Sequence, residues 1–279
     1  MTINCNGTLI DISSPKVMGI LNTTPDSFFD GGKYTNDSHI LNRVESMLND
    51  GATFIDLGAY SSRPGAKEVS VQEELKRSVP TTELILKNFP ETLLSIDTFR
   101  AEVAKEAIEA GACIVNDISG GTLDPNMIPT VGKLRVPYIL MHMKGNPETM
   151  QTKITYRNFM RELLYYFSER IAEVNAHKIN DVIIDPGFGF AKNLDQNYEL
   201  MAKLDVLHIL GLPLLVGISR KSMIYKLLET DASQALNGTT SLNTIALSKG
   251  ANILRVHDVK EAMECIKIKE MIAKNNFSI

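Results

Sequence analysis

The chain has 279 residues, 44% of them hydrophobic and 22% charged, and its formal net charge is −4. This composition is typical of a globular domain with a sizeable core, and the negative charge argues against nucleic-acid binding through a broad basic face. No apolar run reaches the length of about 18 residues that would predict a membrane span, and the three scattered cysteines (Cys5, Cys113 and Cys265) indicate reduced thiols in a cytoplasmic protein.

The chain begins with TINCNGTLID, in which β-type alternation surrounds Asn6-Gly7, a strong signal for a β-hairpin. Beyond it, eight short apolar runs recur, at residues 17–21, 54–57, 93–96, 114–118, 137–141, 182–184, 214–218 and 253–256. Near-continuous apolar runs are typical of parallel strands that are buried on both faces. We therefore predict eight parallel strands after the hairpin.

Helical patterns lie between these runs. Two of them end at Gly51 and Gly111, as helices often do, and another contains Pro80, which predicts a kink or a split. Further helices are predicted at residues 155–178, 194–210, 222–229, 233–249 and 259–274. Strands that alternate with helices predict an α/β fold, a (β/α)8 TIM barrel, forming one domain over residues 1–279. The alternative, an open doubly wound sheet, is disfavoured because no G-x-G-x-x-G follows the first strand.

Polar residues stand at or just after the carboxyl end of every predicted strand. In chain order they are Asn22, Asp56, Asp97, Asn116, Asp117, His142, Asp185, Ser219, Arg220, Lys221, Arg255 and His257. In barrels of this kind the active site forms at this end. Asp56, Asp97 and Asn116 are embedded in apolar runs, where carboxylates and amides need partners, so we predict a polar ligand pocket. His142 is either a ligand contact or a satisfied core residue, and Asp56 either supports a loop or touches the ligand.

The chemistry of these residues divides into two sets. Asp97, Asn116 and Asp185 offer acceptors that suit a flat heterocycle with an amino-pyrimidinone edge. A cationic set suits an anionic tail such as a phosphate; its members are Arg63, Lys221, Arg255 and His257. A solvated rim, with ion pairs to the nearby aspartates, is the alternative explanation of the cations.

Seven motifs extend this pattern from about residue 16 to the last helix. They are GILNTTPDSFFDGG (19–32), IDLGAYSSRPGA (55–66), SIDT (95–98), VNDISGG (115–121), DPGFGFAK (185–192), GISRKSM (217–223) and RVHDV (255–259). Together they resemble the dihydropteroate synthases, which join 6-hydroxymethyl-7,8-dihydropterin pyrophosphate to p-aminobenzoate in folate biosynthesis. The resemblance implies a transferase that forms a C–N bond and releases pyrophosphate.

The resemblance also implies roles for individual residues. Asn22 matches a ligand of the Mg²⁺ that bridges to the pyrophosphate, and Arg255 and His257 match the pyrophosphate-binding pair. The matches to the pterin pocket are Asp97, Asn116, Asp185, Lys221 and Arg255. The matches to the p-aminobenzoate site and its mobile loop are Ser61, Ser62, Arg63, Pro64, Phe190, Lys221 and Ser222. Residues 23–32 match a first mobile loop, and the residues expected to carry the chemistry are Asp97, Lys221, Arg255 and His257.

Two positions depart from the usual motif, since Ser62 replaces a threonine and Tyr60 stands where glutamate is common. Both leave the response to sulfonamides open. The resemblance further implies a homodimer formed through the last barrel helices. Two alternatives are weaker: a folate-binding methyltransferase module has no need of the TPDSF, SRPG and R-x-H motifs, and a non-catalytic pterin-binding paralogue should have lost the cationic set or a loop.

Overall fold

The computed structural model of the chain describes residues 1–23, 33–60 and 69–275, except for the side chains of residues 33–36. Its strands are β1 (Thr2–Cys5), β2 (Thr8–Asp11), β3 (Lys16–Asn22), β4 (Phe54–Gly58), β5 (Leu93–Asp97), β6 (Ile114–Asp117), β7 (Tyr138–Met141), β8 (Val182–Asp185), β9 (Leu215–Val216) and β10 (Ile253–Val256). Its helices are α1 (Lys33–Asn49), α2 (Val71–Asn88), α3 (Ala101–Glu109), α4 (Met127–Leu134), α5 (Phe159–Ala176), α6 (Leu194–Ala202), α7 (Ser222–Leu227), α8 (Leu236–Ser248) and α9 (Val259–Asn275).

Strands β3 to β10 form one parallel sheet in the order β8-β7-β6-β5-β4-β3-β10-β9. The sheet closes where the Ile184 N–H donates to the carbonyl oxygen of Pro213 at 2.9 Å, beside an isolated parallel bridge between Ile184 and Leu214. Strands β1 and β2 pair as an antiparallel hairpin. The predicted barrel and its N-terminal hairpin are confirmed.

Several predicted helices differ in detail from those observed. Helix α2 runs through Pro80 as one helix, so the predicted split is absent there. The predicted helix 194–210 is α6 followed by a 3-10 helix, Leu204–Leu210. Helix α4 was missed by the pattern analysis because it has only eight residues and contains both a proline and a glycine. No helix in the described part of the chain is long and apolar enough to cross a membrane.

The hairpin seals the amino-terminal end of the barrel. Ile3, Cys5 and Ile12 pack against the first inward-facing residue of most barrel strands, namely Met18, Phe54, Ile114, Ile139, Ile183, Leu215 and Ile253. Two hydrogen bonds fasten the hairpin, from Asn4 N to Asp181 Oδ2 at 2.9 Å and from Asn6 Nδ2 to the Gly111 carbonyl at 3.1 Å. Because this end is filled by apolar side chains, only the opposite end can receive a polar ligand.

The barrel interior changes from apolar to polar along the strands. Residues two apart share a face of a strand, so the next inward layer above Phe54, Ile114 and Ile253 contains Asp56, Asn116 and Arg255. The opposite strand faces pack against the surrounding helices in a continuous apolar core. The period of two therefore carries polar side chains to the carboxyl end of the barrel.

Candidate active site

Arg255 is the centre of the polar cluster at the carboxyl end of the barrel. Its Nε donates to Asp56 Oδ2 and its terminal NH2 donates to Asp97 Oδ2, both at 2.6 Å. Asp56 Oδ2 also accepts from Asn116 Nδ2 at 2.9 Å, and Asp56 is fully buried. The Arg255 guanidinium on β10 is thus held by carboxylates on β4 and β5, and the Asn116 amide on β6 is held by the carboxylate on β4. Asp56 supports Arg255 and Asn116 from beneath and has no described contact with a loop.

The electrostatics of this cluster follow from burial. Burial raises the pKa of Asp97 to about 7, although the Arg255 guanidinium opposes this, and the charge of Asp56 adds to the increase. Burial alone would lower the pKa of Arg255, but Asp56 and Asp97 outweigh it and raise that pKa above its usual value. Arg255 therefore stays charged, whereas Asp97 can gain a proton close to neutral pH.

Asp185 and Lys221 form the second part of the pocket. Asp185 Oδ1 accepts the Gly187 N–H at 2.7 Å, and burial raises the pKa of Asp185 while Lys221 opposes the shift. Lys221 precedes α7; its Nζ donates to the Phe188 carbonyl at 2.5 Å and lies 4.7 Å from the centre of the Phe190 ring. Burial lowers the pKa of Lys221 to about 8, although the charge of Asp185 acts in the other direction.

Three acceptor atoms in this pocket remain available to a ligand. Within the described part of the chain, no group hydrogen-bonds to Asp97 Oδ1, Asp185 Oδ2 or Asn116 Oδ1. Gly217 lies between the walls, because a Cβ added there would come within 3.8 Å of Arg255 Cβ and 3.9 Å of Asp185 Oδ2. The pocket can accept several hydrogen bonds from a flat polar ring and holds cations beside it.

The rim next to this pocket holds His257 and Asn22. Ser219 Oγ lies 3.0 Å from His257 Nδ1 and accepts the His257 backbone N–H at 3.1 Å, which orients the imidazole. Asn22 ends β3, and a Cβ added at Gly58 would lie 3.1 Å from Asn22 Oδ1 and 3.7 Å from Asp97 Oδ2. Gly58 therefore keeps the space between the Asn22 amide and the Asp97 carboxylate open.

An amide oxygen such as that of Asn22 is a suitable ligand for Mg²⁺, which is usually held by one or two protein oxygens together with substrate phosphates. Among the described residues, no group of three or more His, Cys, Asp or Glu side chains forms an all-protein metal cage. The amide oxygen of Asn22 thus has the chemistry that Mg²⁺ prefers.

Three of the polar strand-end residues have structural partners away from the pocket. Asp117 faces away from the barrel interior and accepts from Tyr138, Ser119 and Gly121 at 2.6–2.7 Å. Arg220 forms a bidentate pair with Asp258 at 2.7 and 2.9 Å. His142 is buried and contacts the Lys192 ammonium at 3.0 Å, so the core interpretation of this histidine is supported.

The remaining predicted site residues are distributed as follows. Ser222 is half-buried at the start of α7, next to Lys221, and Phe190 packs on the apolar cluster that contains Met141 and Met143. The predictions for Ser61, Ser62, Arg63 and Pro64, and those for residues 24–32 of the first loop, lie outside the described residues.

The sequence analysis missed Gly58 and Gly217 as pocket residues. Both lie two positions beyond an inward-facing residue of their strand, Asp56 and Leu215, so the period of two was the signal that could have found them.

Comparison with known proteins defines the family. The family model described as "Pterin binding enzyme" matches residues 18–257. The chain belongs to the pterin-binding enzyme family.

Relatives within this family are similar over the whole chain. The dihydropteroate synthase of Escherichia coli is 45% identical, with 99% of this chain and 99% of that protein covered. The dihydropteroate synthase of Synechocystis sp. is 42% identical, with 92% of this chain and 89% of that protein covered. Dihydropteroate synthase of Yersinia pestis, solved with a sulfonamide drug, superposes with a TM-score of 0.92 at 44% identity, covering 98% of this chain and all of the other. The enzyme of Xanthomonas albilineans with 4-aminobenzoic acid gives 0.91 at 36% identity, with 98% of each chain covered.

The resemblance noted in the sequence is therefore confirmed. The pterin-binding family member described here has the activity of its dihydropteroate synthase relatives: it is a transferase of folate biosynthesis that forms a C–N bond and releases pyrophosphate.

Proposed function

We propose that the cluster centred on Arg255 is where 6-hydroxymethyl-7,8-dihydropterin pyrophosphate and p-aminobenzoate are joined, giving 7,8-dihydropteroate and pyrophosphate. The observation that supports this most strongly is the 2.6 Å pairing of Arg255 with both Asp56 and Asp97, next to acceptor atoms that have no described partner. This arrangement offers a neutral polar ring several acceptors and offers an anionic tail a fixed cation.

The pterin ring is proposed to lie between Asp97, Asn116 and Asp185, with Lys221 and Arg255 at its edge and face. Carboxylate and amide oxygens accept the parallel N–H groups of an amino-pyrimidinone edge. The open oxygens of all three residues support this placement. Because Asp56 holds both Asn116 and Arg255, it orients two of these groups without contacting the ring.

The pyrophosphate is proposed to bind at Arg255 and His257, with a contribution from Arg63, which the resemblance assigns to the mobile loop of the p-aminobenzoate site. The orientation of His257 by Ser219 supports a fixed role for this imidazole. Preorganised cations at the position where charge develops stabilise a leaving group without reorganisation. Mg²⁺, held through the Asn22 amide oxygen, would supply further neutralisation of the phosphate charges when bound.

The proposed step is a displacement at the exocyclic methylene carbon of the pterin. The carbon–oxygen bond to pyrophosphate breaks and its electron pair leaves with the oxygen, while the amine nitrogen of p-aminobenzoate forms the new bond and then loses a proton. Asp97 and Asp185 place negative charge beside the ring, which favours the positive charge that develops when bond breaking runs ahead of attack. An aromatic amine is a neutral nucleophile, so the site needs no strong general base.

The p-aminobenzoate is proposed to lie against Phe190, Lys221 and Ser222, and against the expected mobile loop that contains Ser61, Ser62, Arg63 and Pro64. The position of the Lys221 ammonium over the Phe190 ring supports this placement, because it leaves a cation next to an aromatic face at the pocket edge. Binding of 4-aminobenzoic acid by the Xanthomonas relative is consistent with it.

The protein is further proposed to be a cytoplasmic homodimer. Ile268, Met271 and Ile272 on α9 are each more than half exposed and follow a helical spacing that places them on one stripe. Ile245 on the adjacent α8 is also exposed. A stripe of this kind is typical of a surface that a second copy covers. Sedimentation of the wild type and of Ile268→Glu tests this, with a dimer expected for the first and a monomer for the second.

Direct detection of dihydropteroate, formed from the two substrates with and without Mg²⁺, tests the proposed site. We expect Mg²⁺-dependent turnover by the wild type and a severe loss in Arg255→Met. Tyr138→Phe, which removes a buried hydrogen bond outside the pocket, is the control and should keep near-normal turnover. Pterin binding without product in the wild type would instead indicate a binding paralogue.

A further inference from the structure

Lys192 is a buried lysine that the proposed chemistry does not use. Its side chain is only 3% exposed, and its Nζ contacts three acceptors: the Gly187 carbonyl at 2.8 Å, the Phe190 carbonyl at 3.0 Å and His142 Nδ1 at 3.0 Å. An ammonium has three N–H donors and no acceptor. The three contacts match these donors one for one, which is the arrangement that makes a buried lysine tolerable.

Two of the three contacts hold the ends of a tight turn, residues 187–190. Gly187, Gly189 and Ala191 all have left-handed backbone angles, with φ of 69°, 80° and 48°. Such a backbone forms no helix or strand ladder. The Phe190 N–H donates to the Gly187 carbonyl at 3.1 Å, and side chains bond to further polar groups of the turn. Lys192 supplies two donors from inside the turn, and Asn197 Oδ1 accepts the Gly189 N–H at 2.7 Å.

The outer side of the same turn faces the pocket. The Phe188 carbonyl accepts the Lys221 ammonium at 2.5 Å, and the Phe190 ring lies under that ammonium. The turn thus presents the Phe188 carbonyl and the Phe190 ring to Lys221. Lys192 holds the carbonyls of Gly187 and Phe190. A shift of the turn would move Phe190, whereas Asn116 on β6 and Asp97 on β5 belong to strands that are not adjacent to β8.

We propose that Lys192, with His142 as its third acceptor, is a positioning residue that fixes Phe190 for binding of p-aminobenzoate. The inference rests on the proposed function, which places p-aminobenzoate against Phe190. His142 must present a lone pair at Nδ1, and burial lowers the pKa of His142, with the charge of Lys192 adding to the effect, so the ring stays neutral. Burial also lowers the pKa of Lys192, and Asp185 opposes this.

Steady-state kinetics of Lys192→Met test the proposal, because methionine keeps the approximate volume and removes the donors. We expect the KM for p-aminobenzoate to rise about tenfold, the size expected for losing one to two net hydrogen bonds. The KM for the pterin substrate should rise by a smaller factor, since Asp97 and Asn116 do not contact this turn, although Asp185 and Lys221 do. Hydrogen exchange of the amides in residues 187–191 should quicken in the variant, which is a readout independent of turnover.

Two further variants, together with the control Tyr138→Phe, separate positioning from folding. His142→Phe removes only the third acceptor and should change the ratio of the two KM values in the same direction by a smaller factor. It decides the question if Lys192→Met does not fold. Lys192→Arg keeps the charge and donors and should recover part of the loss. Tyr138→Phe loses a buried hydrogen bond of 2.6 Å and should lower Tm without changing the ratio.

An unchanged KM ratio in Lys192→Met and His142→Phe, with a fall in Tm like that of Tyr138→Phe, would overturn the proposal and leave Lys192 a purely structural residue. Equal increases in both KM values would overturn it as well. Failure of the proposed function is distinguishable from these outcomes, because it appears as absent turnover in the wild type.

Discussion

Replacing Arg255 by methionine removes the cation that joins Asp56 and Asp97 while keeping the approximate side-chain volume. Breaking a buried ion pair on one side costs about 3–5 kcal/mol, because the remaining charges stay buried. The Arg255 side chain is 18% exposed, whereas Asp56 is fully buried. We therefore expect a loss of about 3 kcal/mol in the free energy of unfolding, at the lower end of that range. Turnover should fall on the order of 10²-fold or more, as for loss of a preorganised donor.

The loss should depend on pH with a definite sign. The pKa of Asp97 is about 7 in the folded protein and 3.8 as an isolated group, so protonated Asp97 contributes stability at low pH that is lost as pH rises through about 7. Without Arg255 the pKa of Asp97 in the folded protein rises further, because the guanidinium no longer opposes the effect of burial. The variant then holds a proton at a pH where the wild type does not, and its stability falls more steeply with pH. Above neutral pH, the difference in unfolding free energy between the wild type and Arg255→Met should grow by at most about 1.4 kcal/mol per pH unit.

Urea unfolding of the wild type and Arg255→Met, at about pH 6 and about pH 8, measures this difference. Arg220→Met is the matched control, because Arg220 also forms a charged pair of 2.7 Å, with Asp258, but away from the pocket. It should give a smaller loss that does not change over this range. A loss in Arg255→Met that is constant or that shrinks at the higher pH would refute the argument.

Three other predictions follow from individual contacts. The kcat/KM for the pterin substrate should rise as Asp97 loses its proton near pH 7 and fall as Lys221 loses its own near pH 8, since both charges are proposed to bind the ring. Lys221→Arg should move only the alkaline limb of this pH profile, to higher pH. An unmoved alkaline limb would contradict its assignment to Lys221. Asn22→Ala should raise the Mg²⁺ concentration for half-maximal turnover by about tenfold or more; an unaltered Mg²⁺ titration would exclude Asn22 as a ligand. Asp117→Asn should lower the free energy of unfolding by about 1–3 kcal/mol, because it weakens buried hydrogen bonds around Tyr138, and a changed pterin KM measured alongside would show that this residue reaches the pocket after all.

The barrel could be predicted from the sequence because its signal is local. The barrel strands are buried on both faces, and apolar runs of three to five consecutive residues show this, as at residues 54–57 and 253–256. Helix boundaries were less accurate where a helix changed type, as after Ala202, because 3.0 and 3.6 residues per turn cannot be told apart over a 3-10 segment of seven residues.

The site was predicted in part by its position at the strand ends. Adjacent residues on a strand face opposite sides, and the sequence analysis predicted Asn116, rather than Asp117, as the pocket residue. The structure assigns Asn116 to the interior, where it bonds Asp56, and Asp117 to the outer face, where it bonds Tyr138. Arg220 and Lys221 divide in the same way, since the first is neutralised by Asp258 and the second lies at the pocket.

The sequence by itself determined that eight buried strands would bring polar groups to one end of a barrel, because burial and strand periodicity depend on residues that are neighbours in the chain. Only the tertiary structure decided which charges pair. Arg255 and Asp56 are 199 positions apart, and Lys192 and His142 are 50 apart. Ion pairs depend on distances of a few ångströms in a medium of low dielectric constant, and closure of the barrel creates those distances.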